Sequence, residues 1–163
     1  MLRLERLRAD HEDALLAFER DNRAYFARSV PDRGDAYFAE FADRHRALLA
    51  EQDTGACRFH VVLDGAGELI GRVNLVDLAD GAADLGYRIG ERAAGRGAAT
   101  ASVREVCRIA ATEYGLGVLT ASAALDNPAS AAVLRRTGFT VVGETVLDGS
   151  PGLTYRRALT AEG

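Results

Sequence analysis

Arg92-Ala93-Ala94-Gly95-Arg96-Gly97-Ala98-Ala99-Thr100 lies where the hydrophobic period of the chain changes. Ahead of it, Asp84-Leu85-Gly86-Tyr87-Arg88-Ile89-Gly90 alternates as a strand does, and behind it a run of good helix formers extends from Ala98 to about Tyr114, ended by Gly115 and Gly117. A strand that turns on glycines into a helix brings together free backbone N–H groups and the positive end of the helix dipole. Gly95, Gly97, Ala98 and Ala99 leave the approach to those amides open, so the turn suits a phosphate or pyrophosphate. The same residues also suit a plain tight turn with glycines for backbone freedom, and on their own they leave both readings standing. Two familiar phosphate loops are excluded. A Walker A loop needs a lysine, and the chain has none; a dinucleotide fingerprint wants glycine where Thr100 stands and a parallel βαβ unit around it.

The segments before the turn read as an antiparallel meander. Phe59–Leu63 and Leu69–Val76 flank a turn at Asp64-Gly65-Ala66-Gly67, and Asp80-Gly81 leads into the strand of residues 84–90. Two helices are predicted further upstream. The first covers about residues 11–28, capped by Asp10 with Asp13 at the third position, and shows an apolar face of Leu15, Phe18, Tyr25 and Phe26. The second, about 36–52, is opened by Asp35 and carries Phe38, Phe41, Leu48 and Leu49 at helical spacing. Residues 1–8 read as a short edge strand.

Downstream, Val118–Ala124 is a strand reached through a helical crossover, which predicts a parallel partner. Asp126-Asn127-Pro128 starts a helix of about 129–137, with Asn127 as an N-cap, and Gly138 stops it. Strands beginning at Phe139 and spanning Leu153–Leu159 complete the pattern. The order predicts a mixed sheet with helices on both faces.

Length and composition bound the function. At 163 residues the chain reads as one domain, 1–163, able to bury about two-thirds of its extended surface. Hydrophobic residues at 48% and charged residues at 27% are ordinary for a globular protein. The net charge of -4 argues against a nucleic-acid partner, and no apolar run is long enough for a membrane span or a signal peptide, which predicts a cytoplasmic protein. Cys57 and Cys107 stand apart from each other and form no CxxC pair, so reduced thiols and no metal site are expected.

Taken together, in this order and at this separation, Arg92-x-x-Gly95-x-Gly97 and Asn127-x-x-Ser130 with Leu134-Arg135-Arg136-Thr137-Gly138-Phe139 resemble the GNAT N-acetyltransferase superfamily. With Leu85-Gly86-Tyr87-Arg88-Ile89, they look most like the branch that acetylates alanine or serine N-termini of ribosomal proteins. The resemblance covers about residues 56–145. It implies an α/β (α+β) three-layer α-β-α sandwich, with a mixed, mostly antiparallel sheet of six to seven strands and about four helices. It also implies acetyl-CoA between the strands 84–90 and 118–124, its pantetheine near Ile89 and its pyrophosphate on Arg92, Gly95, Arg96, Gly97, Ala98, Ala99 and Thr100, with charge from Arg96 and Arg135. Ser130 maps to the proton donor for the departing thiolate, and Asn127 to a cofactor-positioning residue. The resemblance implies transfer to a primary amine by direct attack in a ternary complex, and pairing as a homodimer.

By type alone, His60, Tyr87, Glu91 and Glu144 are candidate bases, and water is another. The branch often carries an aromatic residue before the first glycine and an acid in the following helix, where this chain has Ala94 and Ala101. That departure leaves the acceptor open among protein N-termini, lysine side chains, antibiotics and small amines. It would be gripped by the first two helices, the loop 28–36 and the turn 146–152. The functional alternatives are a module that holds acetyl-CoA without turnover and a different phosphate-binding protein that shares only the glycine turn.

Overall fold

A computed structural model describes residues 1–160. The chain runs β1 (Arg3–Arg6), α1 (Glu12–Asp21), α2 (Arg23–Phe26), α3 (Asp35–Ala39), α4 (Phe41–Asp53), β2 (Arg58–Leu63), β3 (Leu69–Ala79) and β4 (Ala82–Ile89). It continues through α5 (Ala98–Thr112), β5 (Val118–Ala124), α6 (Pro128–Arg136), β6 (Thr140–Leu147) and β7 (Ser150–Ala158). The seven strands form one sheet in the order β1-β2-β3-β4-β5-β7-β6. Every pairing is antiparallel except β4 with β5, the one reached through α5.

The alternation read in the sequence sorts the strand residues between two cores. Phe59, Val61 and Leu63 of β2 pack with Leu15 and Phe41 under α1 and α4. Val62, Val73, Leu75, Leu85 and Leu119 face the other way, onto Val103 and Val106 of α5 and Leu134 of α6. The result is a three-layer α-β-α sandwich. At Gly71 a Cβ would sit 2.5 Å from Ile89 Cδ1 and 2.9 Å from the Arg88 carbonyl oxygen, so β3 and β4 close up there only because the side chain is missing.

The two long helices expected at the N-terminus each divide, which raises the α-helix count from about four to six. The first breaks at Asn22 (φ -104°, ψ 7°), whose Nδ2 donates to the Phe18 carbonyl at 2.9 Å. The second breaks at Glu40 (φ -103°, ψ 17°). Asp10 is not the cap it looks like, because its carboxylate takes the Arg8 guanidinium at 3.1 Å. The buried His11 stands at the N-cap of α1 without a side-chain cap hydrogen bond, and its ring instead closes the turn Ala9–His11 ahead of the helix. Its Nδ1 accepts the Arg8 N–H at 2.9 Å, which leaves the Nε2–H to donate to Glu5 at 3.2 Å. Among the described residues no helix is long and apolar enough to cross a membrane.

Glu19 ties the first helical layer to the sheet. Its carboxylate, 1% exposed, accepts from Arg72 of β3 at 3.1 Å, from Arg88 of β4 at 3.1 Å and from Arg33 at 3.3 Å. Burial depresses the Arg88 pKa, and the nearby Arg33 adds to the effect. Removing the carboxylate would strand buried guanidinium groups without a counter-charge. Glu19→Gln should therefore lower stability in urea unfolding by about 3–5 kcal/mol, and a loss below about 1 kcal/mol would show the network to be dispensable.

His60 on β2 is buried, and its Nδ1–H donates to the Val73 carbonyl at 3.0 Å while Nε2 accepts from Tyr114 at 2.7 Å. Burial lowers its pKa from 6.5 to about 4, so the unfolded chain protonates first on acidification. The stability this group contributes is full above pH 6.5 and is lost as pH falls toward 4. Between pH 7 and pH 5 the loss should be about 2 kcal/mol by linkage, and a His60→Leu variant should show a correspondingly flatter pH dependence of its urea midpoint.

Candidate functional site

β4 and β5 begin as partners and then part. They pair only from Ala82–Asp84 to Val118–Thr120, where Thr120 Oγ1 donates to Asp84 Oδ1 at 2.8 Å. Past that point β4 keeps to β3 and β5 keeps to β7. The β5-facing edge of β4 from Leu85 to Ile89 therefore has no strand partner, and the N-terminus of α6 overlooks the opening.

A cavity of about 570 Å³ occupies one side of this fork. Its walls are Tyr87, Arg88 and Ile89 of β4, the turn residues Gly95 and Gly97, the first turn of α5 at Ala98, Ala99 and Thr100, and Asn127, Ser130, Val133 and Arg136 beside α6. Gly97 is the N-cap of α5 at φ +78°, with no side-chain cap, and Gly95 sits at φ +75°. A Cβ at either would touch nothing within 4 Å and would project into open space. The first α5 hydrogen bond runs from Ala101 N–H to the Gly97 carbonyl at 3.0 Å, which leaves the amides of Ala98, Ala99 and Thr100 ahead of the helix ladder. An uncapped helix end, an unpaired strand edge and a cavity joining them fit a ligand with a diphosphate at one end and an amide-bearing chain at the other.

A second cavity, about 500 Å³, lies on the other side. It is bounded by the loop Ala27–Pro31, by Gly86 of β4, Ser122 of β5 and Leu134 of α6, and by Asp126, Asp148 and Ser150. Among the described residues neither Asp126 nor Asp148 forms an ion pair. Tyr87, Asn127 and Ser130 line both cavities. Asn127 caps α6 by accepting the Ser130 N–H at 3.3 Å, and Ser130 Oγ lies 3.3 Å from the Tyr87 hydroxyl. Burial raises the pKa of that phenol, which keeps it protonated at neutral pH.

The structure brings most of the residues singled out in the sequence to one place. Ile89, Gly95, Gly97, Ala98, Ala99, Thr100, Asn127 and Ser130 all border the first cavity. Arg92 and Arg96 do not. The Arg92 guanidinium turns outward to Glu68 at 2.8 Å, and Arg96 is exposed. Arg135 also faces solvent, while its neighbour Arg136, with Arg88, borders the cavity. Arg135 and Arg136 are both exposed, and which of two adjacent arginines on a short helix lies beside the cavity depends on the helix phase relative to the sheet, which the motif alone does not contain. Of the four candidate bases only Tyr87 reaches the site. His60 is occupied by Val73 and Tyr114, Glu91 lies 3.8 Å from Arg28, and Glu144 is exposed on β6.

The family model described as the acetyltransferase (GNAT) domain matches residues 1–140. Among solved structures, the chain is similar to the ribosomal-protein-S5-alanine acetyltransferase from Vibrio fischeri (TM-score 0.87, 19% identity, 97% of this chain and 93% of that one). It is also similar to Mycobacterium smegmatis RimJ in complex with a CoA disulfide (TM-score 0.85, 21% identity, 96% and 81%). A point mutant of the spermidine N-acetyltransferase from Vibrio cholerae gives a TM-score of 0.78 at 18% identity, over 96% and 93%. At these identities the likenesses establish the fold. No curated protein sequence matches. The family model spans most of the chain and takes in both the glycine turn and the Asn127-x-x-Ser130 segment, so the chain belongs to the GNAT acetyltransferase family.

Proposed function

We propose that this protein transfers the acetyl group of acetyl-CoA to a primary amine, a protein N-terminus or a small amine, by direct attack in a ternary complex. The observation that carries the reading is the meeting of two cavities at Ser130: one bordered by uncapped helix amides, the other by carboxylates. In this reading the amides of Gly97 to Thr100 hold the pyrophosphate and the free edge of β4 near Ile89 holds the pantetheine. Acetyl-CoA supplies a thioester that is already activated. The protein then has to align the amine, exclude competing water and return a proton to the departing sulfur.

Ser130 is placed in this reading as the proton donor, and Asn127 keeps it there by capping its helix. Asp126 and Asp148 face the acceptor with no cation of their own, which favours an amine that carries further positive charge. The loop Ala27–Pro31 forms part of the wall of the acceptor cavity.

Thermal unfolding checks the cofactor half. Coenzyme A or acetyl-CoA at 100 times its dissociation constant should stabilise the protein by about 2.7 kcal/mol, a rise of several degrees, while ATP and NAD at equal concentration should not. Gly97→Val, which adds bulk at the start of α5 and strains the turn at φ +78°, should abolish the shift while far-UV circular dichroism keeps its native shape. An unchanged midpoint with both coenzyme A species at millimolar concentration would remove the transferase reading. For the acceptor half, Asp126→Asn combined with Asp148→Asn should raise KM for a dicationic amine about tenfold and leave kcat and the KM for acetyl-CoA in place. An equal KM for charged and neutral amines in both proteins would show that the carboxylates do not select the acceptor.

A further inference from the structure

Tyr87 is the residue at the junction whose chemistry the motifs leave unused. Its ring packs against the core beneath α6, and its hydroxyl has one side-chain partner among the described residues, Ser130 Oγ at 3.3 Å. It borders the acceptor cavity as well as the cofactor cavity. We propose that Tyr87 is a positioning residue that acts through Ser130, donating its hydroxyl hydrogen to Ser130 Oγ and thereby directing the serine's own hydrogen at the departing sulfur. The inference rests on the acetyl-transfer reading of the site and adds a second hydroxyl in series to it.

The proton balance gives this arrangement its purpose. When the amine nitrogen forms its C–N bond and the C–S bond breaks, the nitrogen must shed one proton and the sulfur must gain one. Ser130 passes its proton to sulfur and takes that of Tyr87 in the same movement. The proton shed by the nitrogen returns to the Tyr87 hydroxyl afterwards through water, so Tyr87 reaches the reacting atoms only by way of Ser130. No proton is left over, and both hydroxyls return to their starting state. A separation of 3.3 Å is longer than a closed O–H···O bond, and such contacts shorten when a reactant fills the site. The phenol, held protonated by burial, is a donor throughout the neutral range.

The test is steady-state kinetics on the full chain with acetyl-CoA and an alanine- or serine-terminated peptide or a polyamine, whichever is turned over, for wild type, Tyr87→Phe, Ser130→Ala and the double variant. Tyr87→Phe should lower kcat by about 10- to 100-fold, leaving KM for acetyl-CoA and the coenzyme A thermal shift unchanged. The double variant should be no slower than Ser130→Ala, because the tyrosine acts only through the serine. In mixtures of H2O and D2O the wild-type rate should fall along a curve, two protons moving together, and that of Tyr87→Phe along a straight line. A packing role alone would change stability or KM and leave the curvature in place. A Tyr87→Phe kcat within twofold of wild type, or a double variant slowed by the product of the single effects, would overturn the relay while coenzyme A binding and turnover remain. Absence of coenzyme A binding would instead remove the reading on which it rests.

Discussion

Everything at the site depends on where β4 stops being a partner of β5. The parallel ladder covers three residue pairs and ends at Asp84 and Thr120, whose side chains are bonded to each other at the fork. Had the ladder continued, the edge of β4 from Leu85 to Ile89 would have been satisfied by protein, leaving neither a strand edge to bind a ligand nor a gap for α6 to overlook. The divergence persists because each strand has a longer allegiance elsewhere. β5 pairs with β7 over seven residues, from Val118 to Ala124, and β4 is pinned to β3, with Gly71 letting Ile89 press against the backbone. Unpaired backbone groups are costly when buried and useful when a ligand can reach them. The fold places its one parallel fork at the C-terminal ends of two strands, where the glycine turn and the start of α6 both arrive.

The first helical layer then becomes part of the site as well as a cover for the sheet. Asn22 Oδ1 accepts the Glu91 N–H at 2.9 Å, so the break between α1 and α2 holds the start of the glycine turn. A Cβ on Gly90 would come within 3.0 Å of the Phe18 ring and 3.1 Å of the Asn22 side chain, which shows how closely the two segments meet. Glu19, one residue past Phe18, binds Arg88, and Arg88 borders the first cavity with its guanidinium over the Phe26 ring. A buried ionic network of this kind is weak evidence for stability gained, but breaking it is expensive. What it secures is the relative position of α1, β3, β4 and the loop that leads to the second cavity.

How much of this was legible in the sequence follows from how local each feature is. The glycine turn could be read because a strand period gives way to a helix period within a dozen residues, and the glycines mark where. The α6 cap could be read because Asn127 and Ser130 are three residues apart. The breaks at Asn22 and Glu40 could not, because the apolar spacing runs through both and one of the two partners of the Asn22 side chain, the Glu91 N–H, lies 69 residues away. Asp10 misled for a similar reason, its carboxylate being taken by Arg8 before it could cap. Charge at the nucleotide end was expected from Arg96 and Arg135, whereas the arginines that border the first cavity are Arg88 and Arg136.

The pairing of Tyr87 with Ser130 is the feature furthest from the reach of sequence. The residues are 43 positions apart, on a strand and a helix separated by α5 and β5. Each looks ordinary in its own segment, one as an inward-facing aromatic of a strand and the other as a small residue in the first turn of a helix. They meet because the fork leaves Tyr87 without a β5 neighbour on its edge, and because Asn127 fixes the first turn of α6 directly over the opening. A single backbone decision, the early end of one parallel ladder, thus creates the strand edge, opens both cavities and sets two hydroxyls side by side where they join.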